Sequence, residues 1–276
     1  MKLTVLVDNN TYIDRYFLGE PALSFFIEDE EKRILFDCGY SNIFFDNARK
    51  MGIDLRFLDY LVLSHCHLDH TWGIETLIRE YTEAQLEKQD FQKPLLVAHP
   101  KVFVSTFADG VGEIGTLLSE SKTQFHFTLQ LSKDPVVLTE NLMFLGEIPR
   151  VFPFESMPPI GRKAGESRGD LLPDDTALAY RSEKGLVIIT GCSHAGICNI
   201  TEYAKNVCNE ERVIAIIGGL HLLDPSRKQL AGTAEYINNL NLDELYACHC
   251  TDFYSKCALA MVAPVKEVGV GLCVDF

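Results

Sequence analysis

Ser64-His65-Cys66-His67-Leu68-Asp69-His70 follows directly on an apolar, strand-like segment, Leu58 to Leu63. These seven residues hold three of the chain's eight histidines and a carboxylate. Imidazole nitrogen and carboxylate oxygen together suit divalent zinc, iron or manganese. The string offers more donors than one tetrahedral ion takes, so it reads as the core of a site for one or two adjacent divalent ions, zinc first among them.

Outward from this stretch, apolar runs alternate with polar or glycine breaks. Leu3 to Val7, Leu23 to Ile27 and Arg33 to Phe36 read as strands, the last two joined by the charged turn 28–32. A helix follows, capped by Ser41 and ended at Gly52, and a second runs from Trp72 to Leu86. Leu95 to Ala98 reads as a buried strand, and residues 102–133 as a helical or irregular insertion. Val136 to Leu145 predicts a hairpin turning at Glu140-Asn141. In the second half Ala177 to Tyr180, Leu186 to Thr190, Val213 to Ile217 and Leu245 to Ala247 read as strands. Helices are expected over 197–208, from the Asp224-Pro225 pair to Leu240, and over 256–262. The whole chain, 1–276, reads as one domain.

Four of these strands run into further polar clusters. They are Asp37-Cys38-Gly39, Gly191-Cys192-Ser193-His194, Gly218-Gly219-Leu220-His221 and Cys248-His249-Cys250. Rigid strand ends hold their side chains in place, so several such ends converging would preorganise a metal centre. His99 and His126 have no such company and read as structural and surface residues. Cys248 and Cys250 flank His249 and, in an extended segment, would point away from it.

Apolar residues make up 47% of the chain and charged residues 23%, enough for a large core. A formal charge of −14 argues against nucleic acid as a partner, since that affinity comes from Lys and Arg neutralising phosphates. Nine cysteines, scattered and odd in number, do not form a secreted disulfide framework. The N-terminal apolar run is short and stopped by Asp8, and no stretch reaches the length of a membrane span. The expectation is a reduced, cytoplasmic protein whose partner is a small molecule. Loop 146–175 carries nine prolines and glycines together with Arg150, Arg162, Lys163 and Arg168. It reads as a flap whose cations hold an anionic substrate, with Tyr12, Arg150, Asp174 and Asp175 on the rim.

The motif His65-Cys66-His67-Leu68-Asp69-His70 after a strand, with later strand-end histidines, resembles the signature of the metallo-β-lactamase superfamily. That resemblance implies an α+β fold, a four-layer αββα sandwich with the metal site at the edge of its two sheets. Leu35 to Gly39, Gly146 to Arg150, Asp174-Asp175, Gly191 to Gly196 and His249 to Thr251 are similar to one branch of it. That branch comprises 7,8-dihydropterin-6-yl-methyl-4-(β-D-ribofuranosyl)aminobenzene 5′-phosphate synthases and metal-dependent hydrolases. Carried over by motif, His65, His67 and His194 would bind a first ion, and Asp69, His70 and His249 a second. Asp37 would orient a ligand histidine. Hydrolytic members place a bridging aspartate where this chain has Cys192, which leaves two readings: a bridging thiolate or a packed thiol. His221 is left open between a metal ligand or the support of one, a substrate contact, and a packed strand-end residue.

The resemblance implies an enzyme. Hydrolysis of a small phosphorylated or anionic metabolite is the first reading, with Asp69 moving the proton. The second is condensation of a dihydropterin diphosphate with an aminobenzene-ribofuranosyl phosphate, with Tyr12, Tyr16, Phe17 or Phe154 stacking on the pterin. A metal- or ligand-binding protein without catalysis is the third, kept open by Cys192.

Overall fold

The computed structural model describes residues 1–276. One sheet has the order β16 (Cys273–Asp275), β1 (Lys2–Val7), β2 (Ser24–Asp29), β3 (Lys32–Phe36), β4 (Tyr60–Val62), β5 (Leu95–Ala98), β8 (Thr128–Leu131). The other runs β15 (Glu244–Cys248), β14 (Val213–Gly219), β13 (Gly185–Thr190), β12 (Ala177–Ser182), β10 (Leu142–Phe144), β9 (Val136–Val137). Within the first sheet β3, β4, β5 and β8 are parallel; within the second, β13, β14 and β15 are. The carboxyl ends of each parallel set therefore share one edge of their sheet.

Both faces of each sheet are covered, and the sequence alternation says how. Val5, Phe25, Ile27, Ile34 and Phe36 of the first sheet meet Phe144, Leu178, Val187, Ile189 and Ile217 of the second between the layers. The intervening residues face outward: Phe26, Leu35, Leu61 and Leu96 pack under α1 (Ile43–Lys50) and α3 (Ile74–Glu87). Ala179, Ile188, Ile216 and Leu245 do the same under α5 (Ile197–Cys208), α6 (Arg227–Leu240) and α7 (Phe253–Ala260). A side-chain period of two with apolar residues on both faces gives a core in three layers, and the result is an αββα sandwich. No helix is long and apolar enough to cross a membrane.

Three expectations are corrected. Residues 102–133 are not wholly an insertion, because Thr128–Leu131 forms β8 and extends the first sheet beside β5. The same stretch supplies β6 (Thr106–Ala108) and β7 (Gly112–Glu113), which with β11 (Arg162–Lys163) make a small third sheet. The helix expected from Asp224-Pro225 begins later, where the Ser226 hydroxyl accepts from Gln229 N. The last helix begins earlier, at Phe253, because the Asp252 carboxylate accepts from Ser255 N.

Candidate metal centre

Asp37 follows β3, Ser64 to His70 follow β4, and Gly191 to His194 follow β13. His221 follows β14 and His249 follows β15, all at the carboxyl ends of parallel strands. Asp37, Ser193, His221 and His249 each adopt positive φ, between 49° and 63°, so the chain turns sharply off the strand at these points. That conformation is costly for residues with a Cβ and marks functional turns.

Two groups of donors result. His65, His67 and His194 form a triangle with ring centroids 4.7–4.8 Å apart. Their Nε2 atoms are buried and have no hydrogen-bond partner. Leaving three polar atoms unpaired in a dry site is expensive, and a shared cation removes that cost. In the second group His70 Nε2 lies 3.2 Å from both His249 Nε2 and Cys192 Sγ. Asp69 Oδ2 lies 3.2 Å from His249 Nε2 and 3.7 Å from His70 Nε2. Two imidazole nitrogens on one tetrahedral zinc at ordinary bond length stand about 3.3 Å apart, so this spacing suits a common ion. The donors fit one or two divalent ions.

The histidines are held from behind. Asp37 Oδ2 accepts from the Ser64 hydroxyl and pairs with His70 Nδ1, both at 2.6 Å, while its Oδ1 accepts from Ser64 N. Ser64 Oγ lies 2.9 Å from His65 Nδ1, and Asn9 Oδ1 lies 3.2 Å from His249 Nδ1. Partners on Nδ1 turn Nε2 toward the centre. Gly191 has no room for a side chain, since a Cβ there would stand 2.2 Å from Ser64 Oγ.

Burial holds His67 down to about 4 and presses His65 and His194 well below the usual imidazole range. Burial opposes the charge on His70 too, but Asp69 and Asp37 outweigh it and raise the ring to about 9. Burial likewise works against ionisation of Asp69, yet His70 and His249 hold it well below the ordinary carboxylate value.

A family model described as the metallo-beta-lactamase superfamily matches residues 18–207. The chain belongs to that superfamily. It is 31% identical over 271 residues to the 7,8-dihydropterin-6-methyl-4-(beta-D-ribofuranosyl)-aminobenzene-5′-phosphate synthase of Methanocaldococcus jannaschii, covering 93% of this chain and 89% of that protein. An uncharacterized protein of the same organism is 28% identical, with 94% of both chains covered. The solved structure of Tm1679, a metal-dependent hydrolase of the beta-lactamase superfamily, superposes with a TM-score of 0.82 at 26% identity, over 100% of this chain and 99% of that one.

Several residues of this superfamily member lie elsewhere than the sequence suggested. Lys163 is not a rim cation: it is 1% exposed, its Nζ 3.0 Å from Asp170 Oδ2 and from Asp174 Oδ1 and 3.3 Å from Cys66 Sγ. Asp174 is equally buried, and its Oδ2 accepts from Cys66 N, between two of the histidines. Asp175 is buried beside the centre, accepting from Ala195 N, and burial pushes it up to about 7. Arg150 is exposed, donates to the carbonyls of Leu171 and Leu172, and acts electrostatically on both Asp175 and His194. Arg162 lines a separate shallow cleft of about 250 Å³ with Phe107 and Ser167, and Arg168 is exposed.

Phe154 is not free to stack on a ligand, because it packs against Phe152 and over Gly232. Tyr12 donates to Glu267 O, Phe17 lies under Lys50, and Tyr16 is exposed. His99 accepts from Lys101 N and pairs with Glu147, and His126 is half-buried. A cleft of about 850 Å³ between Tyr180, Lys184 and Phe276 lies at the opposite end of the strands.

Cys250 is the main residue the sequence reading misplaced. The left-handed turn at His249 breaks the strand alternation and brings Cys250 Sγ into the centre, where it touches Cys192 O at 3.3 Å. Only the repeated H-C pairing at 65–66 and 249–250 hinted at it. Ser64 and Asn9, which position His65 and His249, carry no sequence signal beyond adjacency to strand ends.

Proposed function

We propose that the chain is a metal-dependent hydrolase acting on a small phosphorylated or otherwise anionic metabolite. The observation that carries this reading is the convergence of unpaired His65, His67 and His194 nitrogens beside the Asp69-His70-Cys192-His249 group. Divalent ions, when bound there, supply Lewis acidity toward a phosphoryl or carbonyl oxygen and make water acidic enough to react near neutrality. The remaining work falls to the chain. Asp69 is the one partly open member of its group, its side chain 24% exposed, and its carboxylate would take a proton from water and pass it to the leaving oxygen. Arg150, anchored by two loop carbonyls beside His194, would hold the substrate's anionic group. Burial of the five histidines excludes bulk water from the donors.

A second reading is favoured by the 31% identity over 93% of the chain to the M. jannaschii synthase. There the same residues would hold a pterin diphosphate while an arylamine, rather than water, attacks the methylene carbon. One experiment tests both. Metal-loaded chain is offered phosphomonoesters, phosphodiesters, thioesters and lactones, and separately a hydroxymethyl-dihydropterin diphosphate with an aminobenzene-ribofuranosyl phosphate. Turnover of the first set with no coupling supports hydrolysis; coupling in the second supports the synthase. His67→Ala should lower either activity more than about 100-fold. Full activity in that variant would remove the metal-dependent reading.

A further inference from the structure

Cys192 Sγ belongs to the second of the two groups already described and lies within 4.8 Å of ligand atoms of His65 and His194 in the first. It also stands within 4.8 Å of ligand atoms of both His221 and Cys250, which lie within 4.8 Å of each other. Nothing in the proposed reaction uses these last two side chains. Their placement is nonetheless constrained. A Cβ at Gly219 would stand 2.5 Å from Cys250 Sγ, so the glycine is what admits the sulfur. His221 sits at φ +49° and its Nδ1 is buried without a partner, while its ring lies 4.2 Å from that of His194. The amide of His221 donates to Cys250 Sγ at 3.3 Å, the kind of contact that favours a thiolate over a thiol.

The remaining cluster of the same kind, Cys66 with Asp170 and Asp174, does not compete. The Lys163 ammonium already fills it, at 3.0 Å from each carboxylate.

We propose that Cys192, His221 and Cys250 form a further metal position, soft in character, adjoining the two positions of the centre. Two thiolates and an imidazole select zinc or cadmium over manganese or magnesium, since sulfur is a poor ligand for hard ions. Water or a ligand atom completes the tetrahedron, and the two thiol protons pass to solvent as the ion binds. Cys192 is the shared ligand, placed where hydrolytic relatives carry a bridging aspartate. Exchanging oxygen for sulfur there thus adds a site toward Cys250 as well as altering the bridge. The inference rests on the metal-dependent reading above, and its test separates the two.

Metal-free chain, prepared under reducing and anaerobic conditions, is titrated with zinc and with cadmium against a competing chelator. Bound metal is then counted after gel filtration. The unaltered protein is expected to bind one ion more per chain than Cys250→Ser or His221→Ala. The sulfur-to-cadmium absorption should fall by about two thirds in Cys250→Ser, because only the bond from Cys192 to its other ion remains. Equal ion counts in the unaltered protein and in Cys250→Ser, with absorption unchanged, would overturn the further position and leave the proposed function standing. No bound ions at all would overturn both. Should the variants fail to fold, cadmium-113 resonance on the unaltered chain decides the matter. A signal shifted as two sulfur ligands require is expected, and its absence refutes the proposal.

Discussion

Replacing Asp37 by asparagine keeps the outline of the side chain and removes its charge. Its two oxygens serve Ser64 N, Ser64 Oγ and His70 Nδ1, all within 2.7 Å. An amide nitrogen would face donors on one side, and His70 would lose the partner that fixes its ring. Metal affinity of the Asp69-His70-Cys192-His249 group should fall about 10- to 100-fold, with a smaller loss at the His65-His67-His194 group. Chelator competition on Asp37→Asn measures this; equal affinities in variant and parent would contradict it. Lys163 makes a second case. Lys163→Met leaves the Asp170 and Asp174 carboxylates buried without their cation, which should cost about 3–5 kcal/mol in urea unfolding. Neutralising both with Asp170→Asn and Asp174→Asn in the same chain should restore most of that loss. If the triple variant is no more stable than the single one, charge is not what Lys163 balances. Lys163 also shows what sequence leaves unsaid. A lysine in a loop rich in proline and glycine reads as solvated, and only the fold brings two aspartates from seven and eleven residues away around it.

Among the elements, those with a strong local pattern were legible. The helix 197–208 is found as expected, and the strands over 95–98 and 186–190 match within a residue, because burial on both faces of a strand or one face of a helix leaves a clear period. Thr128–Leu131 was not legible: its burial alternates between exposed and intermediate, as befits an edge strand, so it lacks an apolar run. The site was readable wherever its residues follow a strand end in sequence, as at 65–70, 192–194 and 249. It was unreadable at Cys250, where a left-handed residue cancels the alternation on which the expectation rested. The start of α5 offers a test at this scale. Its first turn receives no side-chain cap from the residue before it; instead the distant Glu155 carboxylate accepts from Cys198 N at 2.8 Å and Asn199 N at 2.9 Å. Glu155→Ala strands two buried amides at the positive end of the helix and should lower stability by about 1–3 kcal/mol, with Glu155→Gln losing less. Equal unfolding midpoints for parent and alanine variant would show that the loop's contact with α5 is incidental.

For the molecule as a whole, the centre ties the two sheets together, since His65, His67 and His70 come from one and Cys192, His194 and His249 from the other. Its titration should therefore appear in global stability once metal is removed. His67 takes a proton only near 4 in the folded chain but at 6.5 when unfolded, and His65 and His194 are displaced in the same direction. Between those values the unfolded chain binds more protons, so stability rises with pH. Asp175, pushed up to about 7, works against this over the same range, but three histidines outnumber it. Above 6.5 the order reverses: His70 keeps its proton to about 9, and the stability that charge provides is lost as pH climbs through that value. The expected profile for chelator-treated protein peaks near pH 6.5, with His70 contributing on the order of 3 kcal/mol to the alkaline limb. Urea midpoints from pH 4 to 9 would reveal it. His70→Gln should flatten the alkaline limb alone, and a steadily rising profile in the parent would refute the account. The positive φ angles at Asp37, Ser193, His221 and His249 carry one more implication, for breeding rather than biochemistry. Asp37, Ser193 and His249 offset that strain with side-chain hydrogen bonds, but His221 Nδ1 has no partner to lose, so glycine there would relax the backbone by up to about 1–3 kcal/mol while deleting a side chain from the centre. Laboratory evolution rewarded only for surviving heat would thus favour glycine at this one corner and yield a sturdier descendant with an altered centre.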